Sequence, residues 1–512
     1  MKRGAILKIA IILGLLGITF LVSLFISHHF YDLSYDGQAS HQEAVFQLSN
    51  GWIPFYKQLD KFEANNLHRW LNHYAKSVWI YETIVFKATH DIESAKLFHI
   101  WLILATFCFT FSFLAKFKKL PPYVICSLSL LVALNPVSVY QSLSFYLDGQ
   151  LMSLTVMMIL TLGYIYGEDK GIHYWILFFI IPILVNAKLT AGAYTAIILA
   201  GFLVMLWLKR DISKLYKVFI VATVASIIGF LLIGMSPYIT NTIYKGNPLY
   251  PVFGPDHEEL YKTMNMPGNF QDKNSAVLLF YSIFSKSDNV RFRESRAELK
   301  IPFTIRKDEG NAFTDTNAKE GGFGPLFGGA IILSLMVIGG ALIRLTGRKG
   351  YHQIKSQSSN NREPIENIRN GIFCLTILLI TCLINPVSSL ARFIPQMWLF
   401  PIISVLLAYS FNNKMVKVTG NLIMLVLAAN IVFIAVSYYG YNLKFTNLYN
   451  RTFEEMAIVS KKYPLKVYFG HFKSSNMLRF DKYGIDYKVI EDKEECQNGQ
   501  RIFPNSILLK CP

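Results

Sequence analysis

Charged side chains are scarce in this chain. They make up 16% of its 512 residues, against about a quarter in an average soluble domain. A sequence so poor in charge and 53% hydrophobic is not a solvated globular domain throughout. Short alternating strand segments are missing too, which excludes a membrane β-barrel. No glycine-rich phosphate loop ends in Lys-Ser or Lys-Thr, and there is no nucleophile elbow, so two common soluble site types are left out. No histidine pair has the spacing of a zinc site. Internal repeats and low-complexity tracts are absent. Acidic residues are the minority charge, 33 Asp and Glu against 50 Lys and Arg, for a formal net charge of +17. Much of that excess falls in short loops between apolar runs, where it sets membrane topology; nucleic acid is not an expected partner.

What the chain has is a series of long apolar runs from end to end, the pattern of an all-α polytopic membrane protein. The first, Ala5 to Ile26, follows Met1-Lys2-Arg3. It is longer than a signal-peptide core, and Ser27-His28-His29 is a poor cleavage site, so it reads as a retained helix starting in the cytoplasm. Eleven transmembrane helices are expected, at about 5–27, 97–115, 122–135, 150–166, 173–186, 190–208, 218–235, 326–343, 371–384, 395–410 and 419–438. With this count the basic linkers at Lys116–Lys119, Lys209-Arg210, Arg344 to Arg369 and Lys414 to Lys417 all fall inside. The C-terminus then lies outside.

Residues 1–440 read as the transmembrane domain, with long outer segments at about 28–95 and 236–325; Gly321 to Pro325 is expected as a flexible edge of the second. Residues 441–512 read as a small α/β extracytoplasmic unit, with a helical stretch Thr452 to Lys461 and strands at Lys466–Gly470 and Tyr487–Ile490. It is too short for a large core of its own and is expected to pack on the outer loops. Of six cysteines, Cys108, Cys126, Cys374 and Cys382 lie in apolar runs and read as small core residues. Cys496 and Cys511 fall in the outer tail, where a disulfide is expected.

The unusual polar residues gather at the outer side. Asp36, His41 and Glu43 stand within eight positions just past the first helix, with Gly37 expected to loosen the backbone between them. Asp32, nearer the helix end, reads as a solvated interface residue. Asp148 lies in the second outer loop beside Tyr146, and is either a site residue or a helix cap. Lys188 in the third loop either takes part or snorkels to the headgroups. Arg392 in the fifth is enclosed by Leu390, Phe393 and Ile394, an unusual setting for a solvated charge. Trp52, Trp70, Trp79 and Tyr81 suit a headgroup belt or the stacking of sugar rings.

Two further stretches carry a resemblance. Asn247-Pro248-Leu249-Tyr250-Pro251 follows the seventh helix, and Ala391-Arg392-Phe393-Ile394-Pro395 enters a late one. With the acidic first outer loop, this order resembles the GT-C superfamily of integral-membrane glycosyltransferases, which use polyprenyl-phosphate sugars as donors. The resemblance implies Asp36 as the catalytic acidic residue, with Glu43 and His41 as rivals. It implies Arg392 at the donor phosphate; Lys188 is a second candidate there, and Asp148, Trp52 and Tyr250 are candidate substrate contacts. The acceptor class stays open between lipid, glycan and protein. The family's Asp-X-Asp or Glu-X-Asp form is absent, which leaves a divalent metal open and names no metal ligand. The setting implied is a bacterial cytoplasmic membrane, with the site on the extracytoplasmic face. The chemistry is consistent: an acceptor hydroxyl needs a base, and a leaving phosphate needs a cation.

Two other readings remain. A polysaccharide polymerase or ligase would use arginines of a late outer loop, for which Arg291, Arg293, Arg296 and Arg306 are available. A lipid-linked glycan transporter would place ionisable groups near the bilayer midplane, where this chain has few.

Overall fold

A computed structural model describes residues 3–60, 67–252, 254, 266–289, 295–346, 359–496, 499–502 and 509–511. Among the described residues, eight helices are long and apolar enough to cross a membrane. They are Ile11–His29, Glu93–Leu114, Asp148–Gly167, Leu189–Leu208, Ile212–Ile233, Phe327–Thr346, Ile365–Leu383 and a stretch of Lys414–Ser460. The other three expected spans coincide with shorter apolar helices, Pro122–Ala133, Gly171–Val185 and Pro395–Ser410; a fourth of this kind, Ser275–Phe284, lies in the expected outer segment, so the structure supports eight long spans and not a count of eleven. The fold is that of an all-α polytopic membrane protein. Proline sets two of the short boundaries: Pro122 stands in the first turn of its helix, where its missing N–H costs nothing, and Pro395 does the same.

Two apolar cores hold the bundle. One joins Pro122–Ala133, Phe327–Thr346, the late helices and the long last helix through Leu128, Phe327, Trp398, Val405 and Leu427. The second joins the four helices between residues 148 and 227 through Met158, Leu177, Ile181, Leu206 and Val218. Trp398 spans the first core and donates its indole N–H to the carbonyl of Leu131 at 2.7 Å. The segment read as a flexible edge is instead pinned. Gly324 adopts φ +100° against the Asn430 side chain, which accepts from the Leu326 N–H at 2.9 Å and donates to the Phe323 carbonyl at 2.8 Å.

The last helix runs unbroken from Lys414 to Ser460, so it carries the tail on a stalk. The tail is the expected α/β unit. Strands β1 (Leu465–Tyr468), β2 (Tyr487–Val489), β3 (Gln500–Arg501) and β4 (Leu509–Lys510) lie in the order β2-β1-β4-β3. Only β1 and β2 are parallel, joined across the helix Lys473–Tyr483. Its core is shared, as its size requires: Phe453 of the stalk and Tyr31 of the first outer segment pack with Leu465, Val467, Phe469 and Phe480. Cys496 and Cys511 are bonded to each other. Of the four free cysteines, Cys108, Cys126 and Cys374 are exposed on the helix surfaces rather than in the core, and Cys382 is buried. A bilayer accepts a small apolar thiol on its face as readily as a core does, so apolar sequence context alone does not sort the two.

Candidate active site

The first outer segment leaves its helix and turns sharply at residues 32–41. Asp32 is fully buried, not solvated, because its carboxylate has local work. Oδ1 accepts from the Ser34 N–H and hydroxyl at 2.8 and 2.6 Å, and Oδ2 from the Phe145 N–H at 2.8 Å. Burial and the nearby Glu93 push its pKa up to about 6. Gly37 packs directly on this turn. A side chain there would fall on the Asp32 carboxylate and the Ser34 hydroxyl, so the glycine serves close approach and does not loosen the backbone. A single π-helical turn, Gly37–His41, follows and feeds the helix Gln42–Ser49. Such turns recur at functional sites because they re-aim side chains within a helix.

Four charges from four parts of the chain meet here. Arg392 stands in a short 3-10 turn, Ala391–Phe393, whose backbone is tied down: the Tyr194 hydroxyl donates to the Phe393 carbonyl at 2.6 Å and accepts from Asn385 at 2.5 Å. Its guanidinium lies 3.5 Å from the Asp148 carboxylate and 3.9 Å from that of Asp36. It also covers the rings of Tyr146 and Phe393, 5.0 and 4.9 Å from their centroids. Lys188 pairs with the other Asp148 oxygen, and Gln141 donates to Asp148 at 3.2 Å. Asp148 is therefore saturated and is not a helix cap; Leu147 holds the cap position. Lys188 is buried against Asp148 and the Phe393 ring, 4.0 Å away, and does not snorkel. The Arg392 side chain is 8% exposed and that of Asp36 is 43% exposed. The cluster thus presents one open carboxylate above one buried guanidinium. The Arg392 Nε is buried with no hydrogen-bond partner among the described residues, so the cation keeps donor capacity in reserve.

His41 joins the same cluster. The Trp79 indole donates to its Nδ1 at 2.8 Å, which requires that nitrogen unprotonated. Burial lowers its pKa to about 4, so near neutral pH the ring is uncharged and its other nitrogen is a donor. Glu43 faces elsewhere and accepts from Gln47 at 2.8 Å; it makes no ion pair among the described residues. Trp52 packs with Ala44, Leu71 and Trp79 in a small separate core. Tyr250 lies against His73, Arg69 and Lys245, also away from Asp36. The structure therefore brings Asp36, His41, Asp148, Lys188 and Arg392 together and leaves Glu43, Trp52 and Tyr250 outside that cluster.

Gln141 and Tyr74 were not legible as site residues. Gln141 binds Asp148 from the end of a buried helix, and Tyr74 is a half-buried ring beside Trp70 and Trp79. Arg306 pairs with Glu298 at 3.2 Å, Arg296 is exposed, and Arg291 and Arg293 lie outside the described residues. Among the described residues no three His, Cys, Asp or Glu side chains gather to hold a metal ion. At the cluster itself, Arg392 already bridges the two carboxylates and Lys188 pairs with Asp148, so Asp36 and Asp148 do not fit a divalent cation as arranged.

No family model matches the chain, and no curated protein does. Among solved structures it is similar to ArnT from Cupriavidus metallidurans bound to undecaprenyl phosphate. That match has 11% identity and a TM-score of 0.38, and covers 93% of this chain and 85% of the other. The apo form of the same protein matches with 12% identity and a TM-score of 0.38, covering 95% and 86%.

Proposed function

We propose that the chain is a GT-C-like glycosyltransferase that moves a sugar from a polyprenyl-phosphate donor to a lipid, glycan or protein acceptor, with inversion. The observation that carries this reading is the Asp36–Arg392 pair: an open carboxylate 3.9 Å from a buried guanidinium, at the end of a membrane bundle. In the reaction the acceptor hydroxyl attacks the anomeric carbon. Asp36 takes the hydroxyl proton as the new C–O bond forms, and the bond from that carbon to the phosphate oxygen breaks. The polyprenyl phosphate leaves with its new charge facing Arg392, whose planar fork suits phosphate oxygens. Asp148 and Lys188 hold one another and set the guanidinium's place rather than compete for the donor. One base and one cation suffice for a single displacement, and no step here runs through a metal.

The membrane setting follows from the substrate, since a polyprenyl tail confines the donor to the bilayer. The test is release of polyprenyl phosphate by purified protein in lipid nanodiscs, supplied with a panel of polyprenyl-phosphate sugars. Release by the parent and its loss in Asp36→Asn is the expected result. No release from any donor, with monodisperse protein, would remove the reading.

A further inference from the structure

A second charged cluster adjoins the turn that follows Asp36. Its members come from distant parts of the chain: Asp32, Glu93, Lys96 and, from the C-terminal unit, Arg479, all buried. Two acids and two bases balance. Glu93 accepts from Lys96 at 2.5 Å, from Arg479 at 2.9 and 2.5 Å, and from the Asp32 N–H at 2.9 Å. Lys96 also donates to the Phe30 carbonyl at 2.6 Å. Burying four charges is costly, and such networks add little net stability over an apolar core. What they do supply is a single permitted arrangement of the segments they join.

The Arg479 guanidinium reaches three separate groups. Nε and NH2 hold Glu93. NH2 also donates to the Asp32 carbonyl at 3.0 Å, and NH1 donates to the Gln38 side chain at 2.8 Å. Gln38 belongs to the π-turn Gly37–His41 and itself donates to the Ser34 carbonyl at 3.1 Å. One helical turn back on the tail helix, Ser475 donates to the Gln42 side chain. The tail therefore grips this stretch at Gln38 inside the turn and at Gln42 just after it, two points that bracket His41 and begin two residues past Asp36. Beneath them Gly37 rests on Asp32, whose carbonyl Arg479 holds. Among the described residues Asp36 itself makes no hydrogen bond or ion pair to the tail. Its position is set by the turn, and the turn is set from the tail.

We propose that Arg479 is a positioning residue: through Gln38, Asp32 and Glu93, the C-terminal unit holds the turn that carries Asp36 and His41 in its working place. This rests on the reading of Asp36 as the base. It makes the tail a part of the catalytic assembly, though no tail residue meets the reacting atoms.

Two variants test it. Arg479→Lys keeps the charge beside Glu93 but cannot span Glu93, the Asp32 carbonyl and Gln38 together. Gln38→Ala removes the grip on the turn, together with the Gln38 bond to the Ser34 carbonyl, and leaves the Glu93 pairs with Lys96 and Arg479 in place, so it folds even where the first variant does not. Both are followed by amide hydrogen exchange over residues 34–46, with 97–114 as an internal reference, and by donor turnover. The expected result is faster exchange over 34–46 alone, a kcat at least tenfold lower, and a donor KM within about twofold of the parent, since the Arg392 side is untouched. A residue that merely stabilises the fold would be spared by the charge-conserving change and would leave exchange local to the tail. Unchanged exchange in both variants overturns the proposal, and so does faster exchange with unchanged kcat. Asp36→Asn run beside them separates the two readings: if it is fully active, the base assignment fails, whatever the exchange shows.

Discussion

Arg392 meets four groups with one flat guanidinium: Asp148 at 3.5 Å, Asp36 at 3.9 Å and the faces of Tyr146 and Phe393. An ammonium cannot copy that geometry, because it offers a compact charge and no planar fork. Arg392→Lys is therefore expected to lower donor turnover by about 10- to 100-fold, the worth of one hydrogen bond to a charged group. A steady-state assay with a lipid-linked donor checks this, and parent-like kcat and KM would take Arg392 out of the mechanism. Asp36→Asn keeps shape and hydrogen bonding while removing basicity, so turnover should fall by something like 10²–10⁴ with folding spared. Glu43→Gln is the matching control. Glu43 accepts only from Gln47 among the described residues, so that variant should run near the parent rate. A dead Glu43→Gln beside an active Asp36→Asn would mean that the other carboxylate is the base.

The π-turn has its own consequences. Gly37→Ala would drive a methyl group into the Asp32 carboxylate and the Ser34 hydroxyl. The turn must shift, costing about 1–3 kcal/mol as overpacking usually does. A lower unfolding temperature and weaker turnover are both expected from circular dichroism and the same donor assay. His41 gives the turn a pH dependence of known sign. Its folded pKa, about 4, lies below the unfolded value, so the unfolded state takes up the proton first as pH falls. The stability it contributes is whole above about pH 6.5 and is lost on the way down to about 4. Thermal unfolding in detergent should show that decline, and His41→Gln should lessen it without abolishing it, because burial lowers the His73 pKa to about 4 as well. A variant with the parent's slope would show that His41 is not the group titrating. The spans and the α/β tail could be read from sequence, because apolar runs of about 20 residues and strand-like tracts are local signals. Asp36 and Arg392 were found through a motif order, but their adjacency was not, since no spacing rule links the first outer loop to a late 3-10 turn. Gly37 was read as loose and Asp32 as solvated because composition does not report a close approach. Arg479 left no signal at all: its partners lie hundreds of positions away, and an arginine in a polar tail helix looks like any solvated charge.

At the scale of the whole molecule, charge sorts itself between the two ends of the bundle. Lys116 pairs with Glu168, Lys217 with Asp169 at 2.6 Å, and Lys209 with Glu366, so the acidic Glu168-Asp169 linker is tied to its basic neighbours at one end of the bundle. The Asp36–Arg392 cluster, Glu93 and the tail lie together at the other end, as the contacts of Arg479 require. Basic linkers stay in the cytoplasm, so the site and the tail are expected outside. The tail disulfide gives an independent reason, since a bonded Cys496–Cys511 pair belongs to an oxidising compartment. Both expectations are checked with fusions after Pro512 in the intact chain. A reporter that matures only in an oxidising compartment should be active there, and one that works only in the cytoplasm should be silent. Mass spectrometry of unreduced tail peptides should find Cys496 and Cys511 linked. A signal from the cytoplasmic reporter together with two free thiols would invert the topology. It would also place the Asp36 carboxylate on the side where a nucleotide-activated sugar, rather than a lipid-linked one, is the ordinary donor.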